Sequence, residues 1–94
     1  MFSLSTKAVE DIESIVDYTL KDFGYDAMLE YHQSLDGCFD NLSENPDIGL
    51  DCKHISLDCL CFYHRSHIVF YKKQKDDIHI VRILHKSMDV PQHF

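Results

Sequence analysis

The stretch CLCFYHRSH brings Cys59, Cys61, His64 and His67 close together in the chain. Thiolates and imidazoles are the usual ligands of zinc, and a cysteine beside a histidine can also form a nucleophile with its base. Neither arrangement is completed here. The spacing is not that of a finger or a ribbon. If 60–63 and 67–73 are paired strands, Cys59 and Cys61 share one strand face, His64 lies in the turn and His67 opens the next strand. A tetrahedron closed from one continuous hairpin is hard to build. No glycine-rich elbow or helix N-terminus follows either cysteine to stabilise a thiolate and supply an oxyanion hole. Buried thiols beside partly exposed imidazoles account for the residues more simply, and neither metal nor cofactor is expected. The chain also has no phosphate-binding loop and no dinucleotide fingerprint.

A second candidate is His85, in VRILHKSMD. An imidazole is the right acid or base near neutral pH. A phosphoryl-transfer site would also need cations to hold phosphate. Arg82 falls on the opposite strand face by alternation, and KSMDVPQHF contains no Tyr or Arg to complete a set. His85 therefore reads as a strand-end residue, its ring bonded to Asp89 or to a backbone group, with catalysis as the alternative.

The elements that must position these residues follow from periodicity. Phe2–Leu4 reads as a short strand. Ser5 or Thr6 caps a helix with acids in its early turns, and Ala8, Ile12, Ile15, Thr19 and Phe23 recur at helical spacing. Gly24 ends it. A second helix runs from about Asp26 to Glu44, with Met28, Tyr31, Leu35, Cys38 or Phe39, and Leu42 as its apolar stripe. Pro46 stops it by disfavouring helical geometry at Asn45. After a loop containing Gly49, three segments rich in β-branched and aromatic residues follow: 60–63, 67–73 and 78–85, the last two joined by the turn QKDD. The expected fold is a single α+β domain over 1–94. An N-terminal short strand and an antiparallel helix hairpin pack on a mainly antiparallel β-sheet.

Composition bounds the function. The chain of 94 residues is 45% hydrophobic and 27% charged, ordinary for a globular domain. The N-terminus shows no basic segment followed by an apolar one, and no run is long enough to span a bilayer, so a cytoplasmic protein with reduced cysteines is expected. Net charge is −7, unevenly placed. Residues 1–58 hold 13 acids against Lys7, Lys21 and Lys53, a balance of −10, while residues 59–94 balance at +3. Two faces with different partners are expected, and an acidic chain is poorly suited to direct sequence-specific nucleic-acid binding.

Taken together, the order of elements and four motifs resemble the ParE toxins of the RelE/ParE superfamily. DIESIVDYTLKDFG is similar to the family's first helix. LSENPDIG matches its helix-ending turn through Glu44, Asn45, Pro46 and Gly49. SHIVFY matches the central strand, and IHIVRILHKSMD the last strand and tail. Leu60, Ser87 and Gln92 stand where members often carry basic residues, and Arg65 where Gly is common before Ser-His.

The resemblance implies the toxin of a bacterial type II toxin–antitoxin module that inhibits DNA gyrase by binding. A ParD-like antitoxin would neutralise it in a hetero-oligomeric complex. It further implies two alternatives: a RelE-like ribosome-dependent messenger RNA endonuclease using His85, or a degenerate toxin acting only in autoregulation. The basic residues Arg65, Lys72, Arg82 and Lys86 are the expected partner contacts.

Overall fold

The structure is a computed structural model that describes residues 1–88 and 90–93. Five strands form one sheet in the order β1-β5-β4-β3-β2: β1 (Phe2–Leu4), β2 (Leu50–Asp51), β3 (Leu60–His64), β4 (His67–Lys73) and β5 (Ile78–His85). All pairings are antiparallel except β1 with β5, where Phe2 faces Ile78 and Leu4 faces Ile80 in parallel. Helices α1 (Thr6–Phe23) and α2 (Tyr25–Glu44) lie between β1 and β2 in sequence. Among the described residues no helix is long and apolar enough to cross a membrane.

The start of α1 is fixed by Ser5. Its hydroxyl oxygen accepts from Ala8 N–H at 3.0 Å and donates to the Val81 carbonyl at 2.6 Å, so one side chain caps the helix and ties it to β5. Gly24, at φ 92, both ends α1 and precedes α2, a left-handed backbone that a side chain would strain. The helices pack on one sheet face. Ala8, Ile15, Leu35, Cys38, Phe39 and Leu42 meet Val69, Tyr71, Ile78, Ile80 and Ile83 there.

The other sheet face is not left to solvent, as helices on one face alone would leave it. Cys52, Cys59, Cys61, Ile68, Phe70 and Leu84 form a second, smaller core, with Ile55 and Val90 packed against it. The segment after β2 folds over this face, held by Cys52 N–H to the Cys59 carbonyl at 2.9 Å and Cys59 N–H to the Ser56 carbonyl at 3.2 Å. β4 is therefore buried on both sides, which explains its unbroken apolar run IVFY.

An irregularity in β5 aims its C-terminal half. Phe70 faces Arg82, but Tyr71 faces Ile80, so Val81 is an extra residue. Ile78 and Ile80 before it, and Ile83 after it, all reach the helix side. By the same alternation His85 turns towards the helices. β2, not expected from the sequence, pairs Leu50 with Cys61. The loop before it is built around Tyr71, whose hydroxyl donates to the Pro46 carbonyl at 2.8 Å and accepts from Gly49 N–H at 3.0 Å. A Cβ at residue 49 would overlap that phenol ring, so only Gly fits.

Beyond Leu4 the edge of β5 has no strand partner, and Asp11 of α1 takes that place. Its Oδ2 accepts from Ile83 N–H at 2.9 Å, and its two oxygens accept from Arg82 Nε and Nη2 at 2.8 Å each. Both side chains are largely buried, 13% exposed for Arg82 and 14% for Asp11. Removing one charge from such a pair leaves the other poorly solvated. Asp11→Asn should therefore lower the free energy of urea unfolding by on the order of 2–3 kcal/mol. The double variant with Arg82→Met should lose less than the sum of the two single losses. A loss below about 0.5 kcal/mol, typical of an ordinary surface substitution, would contradict this assignment.

Candidate functional site

The residues of CLCFYHRSH are parted by the sheet. Cys59 and Cys61 belong to the second core, while His64 and His67 turn towards α2. Among the described residues no three His, Cys, Asp or Glu side chains converge as a metal site would require. The two histidines join His85 instead, at the sheet end beneath the helical hairpin.

Their contacts define a polar floor. The Tyr31 hydroxyl lies 2.6 Å from His67 Nδ1, and burial raises the phenol pKa, so Tyr31 is the donor. Burial first, then the neighbouring His85 and His64 rings, push His67 down to about 4. His67 is thus neutral near pH 7, with its proton on Nε2. Ser34 donates its hydroxyl proton to the Tyr31 carbonyl at 2.7 Å, so it must accept from His64 Nε2, 3.0 Å away. Burial and the adjacent Arg65 charge also lower the His64 pKa. His85 Nδ1 accepts from Ser87 N–H at 3.1 Å, with the Ser87 hydroxyl at 2.7 Å. The backbone group expected to bond the His85 ring is the Ser87 N–H; the other expected contact, Asp89, lies outside the described residues. The His67 and His85 rings meet edge to face at 5.3 Å.

Above this floor opens a cleft of about 430 Å³. Tyr18, Thr19, Phe23 and Ala27 from the hairpin make its apolar wall, and Glu30 and Ser66 stand at its sides. The hairpin also carries exposed apolar side chains. Tyr18 is 57% exposed, Phe23 65% and Tyr25 62%, with Leu20 and Leu29 also exposed. Phe23 was expected in the core-facing stripe of α1, but it is exposed on the cleft side. The stripe outruns the sheet it packs on: of α1, only Ala8 and Ile15 are buried.

The four basic candidates are not gathered together. Arg65 and Lys86 share one end of the sheet, where Lys86 N–H donates to the Ser66 carbonyl at 3.0 Å. Arg65 forms a bidentate pair with Glu30, at 2.8 and 2.9 Å, and lies 5.5 Å from the centre of the Tyr31 ring. Its φ is 53, in the two-residue loop between β3 and β4, a conformation that favours Gly. This accounts for the glycine common at that position. Lys72 lies elsewhere, lining a cleft with Asp51, Lys53 and Asp58. Arg82 is engaged by Asp11.

Tyr31 is expected in the apolar stripe of α2, as a core or rim aromatic, and the sequence marks neither Tyr18 nor Phe23 as a site residue. A signal was available in their clustering around Gly24, where aromatic residues continue to a helix end that has no facing strand.

Comparison with known proteins agrees with this architecture. A family profile described as the ParE toxin of the type II toxin–antitoxin system parDE matches residues 2–90. A Mycobacterium tuberculosis protein named Toxin ParE1 is 33% identical over 90 residues, covering 95% of this chain and 92% of its own. A Caulobacter vibrioides protein of the same name is 26% identical over 92 residues, covering 98% and 95%. A solved structure titled as the chromosomal ParDE TA system from P. aeruginosa shares the fold, with a TM-score of 0.76 at 18% identity, over 89% of this chain and 92% of that one. With the profile spanning nearly its whole length, the chain belongs to the ParE toxin family of type II toxin–antitoxin systems.

Proposed function

We propose that this chain acts in the cytoplasm as an inhibitor of DNA gyrase, working by binding, and that a ParD-like antitoxin silences it in a hetero-oligomeric complex. The observation that carries the docking part is the apolar cleft with its exposed aromatic rim, on a chain whose net charge is −7. Apolar surface of this kind on a small domain fits an amphipathic segment that orders as it binds. The antitoxin segment would place apolar side chains against Tyr18 and Phe23. Its acidic groups would meet Arg65 and Lys86 at the sheet end, with Lys72 contributing only to a longer tract.

The gyrase assignment rests on family membership. The geometry supports binding over catalysis in one respect. Each imidazole of the floor has a ring nitrogen engaged by a neighbouring hydroxyl, and Arg65 is paired with Glu30 rather than held over the cleft. One arrangement favours the endonuclease alternative: His67, His85 and Tyr31 line a single cleft, as an acid–base set would.

The cleft residues give a direct test of docking. Phe23→Ser should weaken antitoxin binding at least tenfold with little change in thermal midpoint, because its ring is already exposed. Lys86→Glu should weaken binding more at low salt than at high salt. Unchanged affinity in both variants would place the antitoxin elsewhere.

A second experiment addresses the target. Purified wild type and His85→Ala, at matched soluble levels, should both block supercoiling by gyrase, and induced cells should keep their messenger RNA intact. Normal supercoiling together with His85-dependent cleavage of translated messages would establish the endonuclease instead. Neither effect, with the antitoxin complex still forming, would favour a toxin that serves only in autoregulation.

A further inference from the structure

The second core contains three thiols, Cys52, Cys59 and Cys61, all buried and all free. Their placement is unequal. Cys59 directs its sulfur to the Leu60 carbonyl at 3.6 Å, whereas Cys52 Sγ and Cys61 Sγ stand 2.6 Å apart. That separation is well inside the ~3.5–4.0 Å of ordinary non-bonded contacts. It is within roughly 0.6 Å of a sulfur–sulfur bond. Cys52 continues the β2–β3 register, with its N–H on the Cys59 carbonyl at 2.9 Å, so Cys61 is its diagonal neighbour on the same sheet face.

We propose that Cys52 and Cys61 are a redox site that closes into a reversible disulfide, with a low-molecular-weight disulfide such as oxidised glutathione as the oxidant. One protein thiolate attacks the oxidant and forms a mixed disulfide, releasing one small thiolate. The second protein thiolate attacks the sulfur of the first and releases the other. Two S–H bonds are lost and one S–S bond forms in the protein. The oxidant loses its S–S bond and takes up the two protons and two electrons as two small thiols. The link pins the segment 52–59 to β3 and thereby holds the cover of the second core in place.

The setting determines the kinetics. Burial pushes the Cys61 thiol up to about 12 and Cys59 up to about 11, so neither supplies much thiolate near neutral pH. Closure is therefore slow, and limited by local opening of residues 52–59. Once closed, the link is shielded from solvent thiols by the same burial.

Peptide mapping of the full-length chain tests the pairing without any variant. The protein is equilibrated with oxidised glutathione, quenched in acid, alkylated with N-ethylmaleimide and cut on the N-terminal side of aspartate. That cleavage separates Cys38 in 36–39 from Cys52 in 51–57, and both from Cys59 and Cys61 in 58–75. The expected product is 51–57 joined to 58–75 through Cys61, released by dithiothreitol, with Cys38 and Cys59 alkylated. Oxidation should also raise the thermal midpoint by several degrees, a shift that Cys61→Ala abolishes and Cys38→Ala retains. Full alkylation of Cys52 and Cys61 after equilibration would overturn the proposal, as would Cys52 joined mainly to Cys59 or linkage between two chains.

Discussion

One carboxylate holds the helical layer to the sheet. Asp11 takes the place of a strand partner where β1 stops short of the end of β5: it satisfies Ile83 N–H and both forks of Arg82 at once. A backbone donor left without a partner there would carry a desolvation cost, and so would an unpaired guanidinium. Only a helix running past that edge can present the carboxylate. Ser5, at the cap of the same helix, makes a second tie to Val81. Together they fix the direction in which α1 leaves the sheet, and the irregularity at Val81 turns the end of β5 to face it.

The cleft is a consequence of that anchoring. α1 is pinned near its start, so its far end and the beginning of α2 extend beyond the strands. What holds them is a set of lateral polar contacts from α2: Tyr31 to His67, Ser34 to His64 and Glu30 to Arg65. These groups sit below an apolar wall that has no facing strand. The histidines hold the hairpin in place and remain neutral in doing so, which avoids burying charge beneath a hydrophobic surface.

Much of the fold was legible because local signals agreed with one another. The cap at Ser5 or Thr6, the Gly24 break, Pro46 and the turn at 74–77 each mark a boundary, and all three long strands were readable from their β-branched and aromatic content. Two features were not legible. β2 is only Leu50–Asp51, too short to carry a period, and its loop is set by the distant Tyr71 hydroxyl. The extra residue at Val81 leaves no mark in an apolar strand, yet it decides which face His85 joins. The site was less readable than the fold for the same reason. Tyr31, His67 and His85 come from three elements, and only tertiary packing brings them together. Arg82 could be counted as a cation from sequence, but its commitment to Asp11 depends on the helix crossing the β5 edge.

Hydrogen–deuterium exchange on the chain, free and bound to its antitoxin, tests most directly whether this end of the molecule is the docking face. Added protection is expected in residues 16–31 and in the segments around Ser66 and Lys86, with the segment 52–59 unchanged. Protection confined to 50–61, with the helical hairpin unaffected, would contradict it.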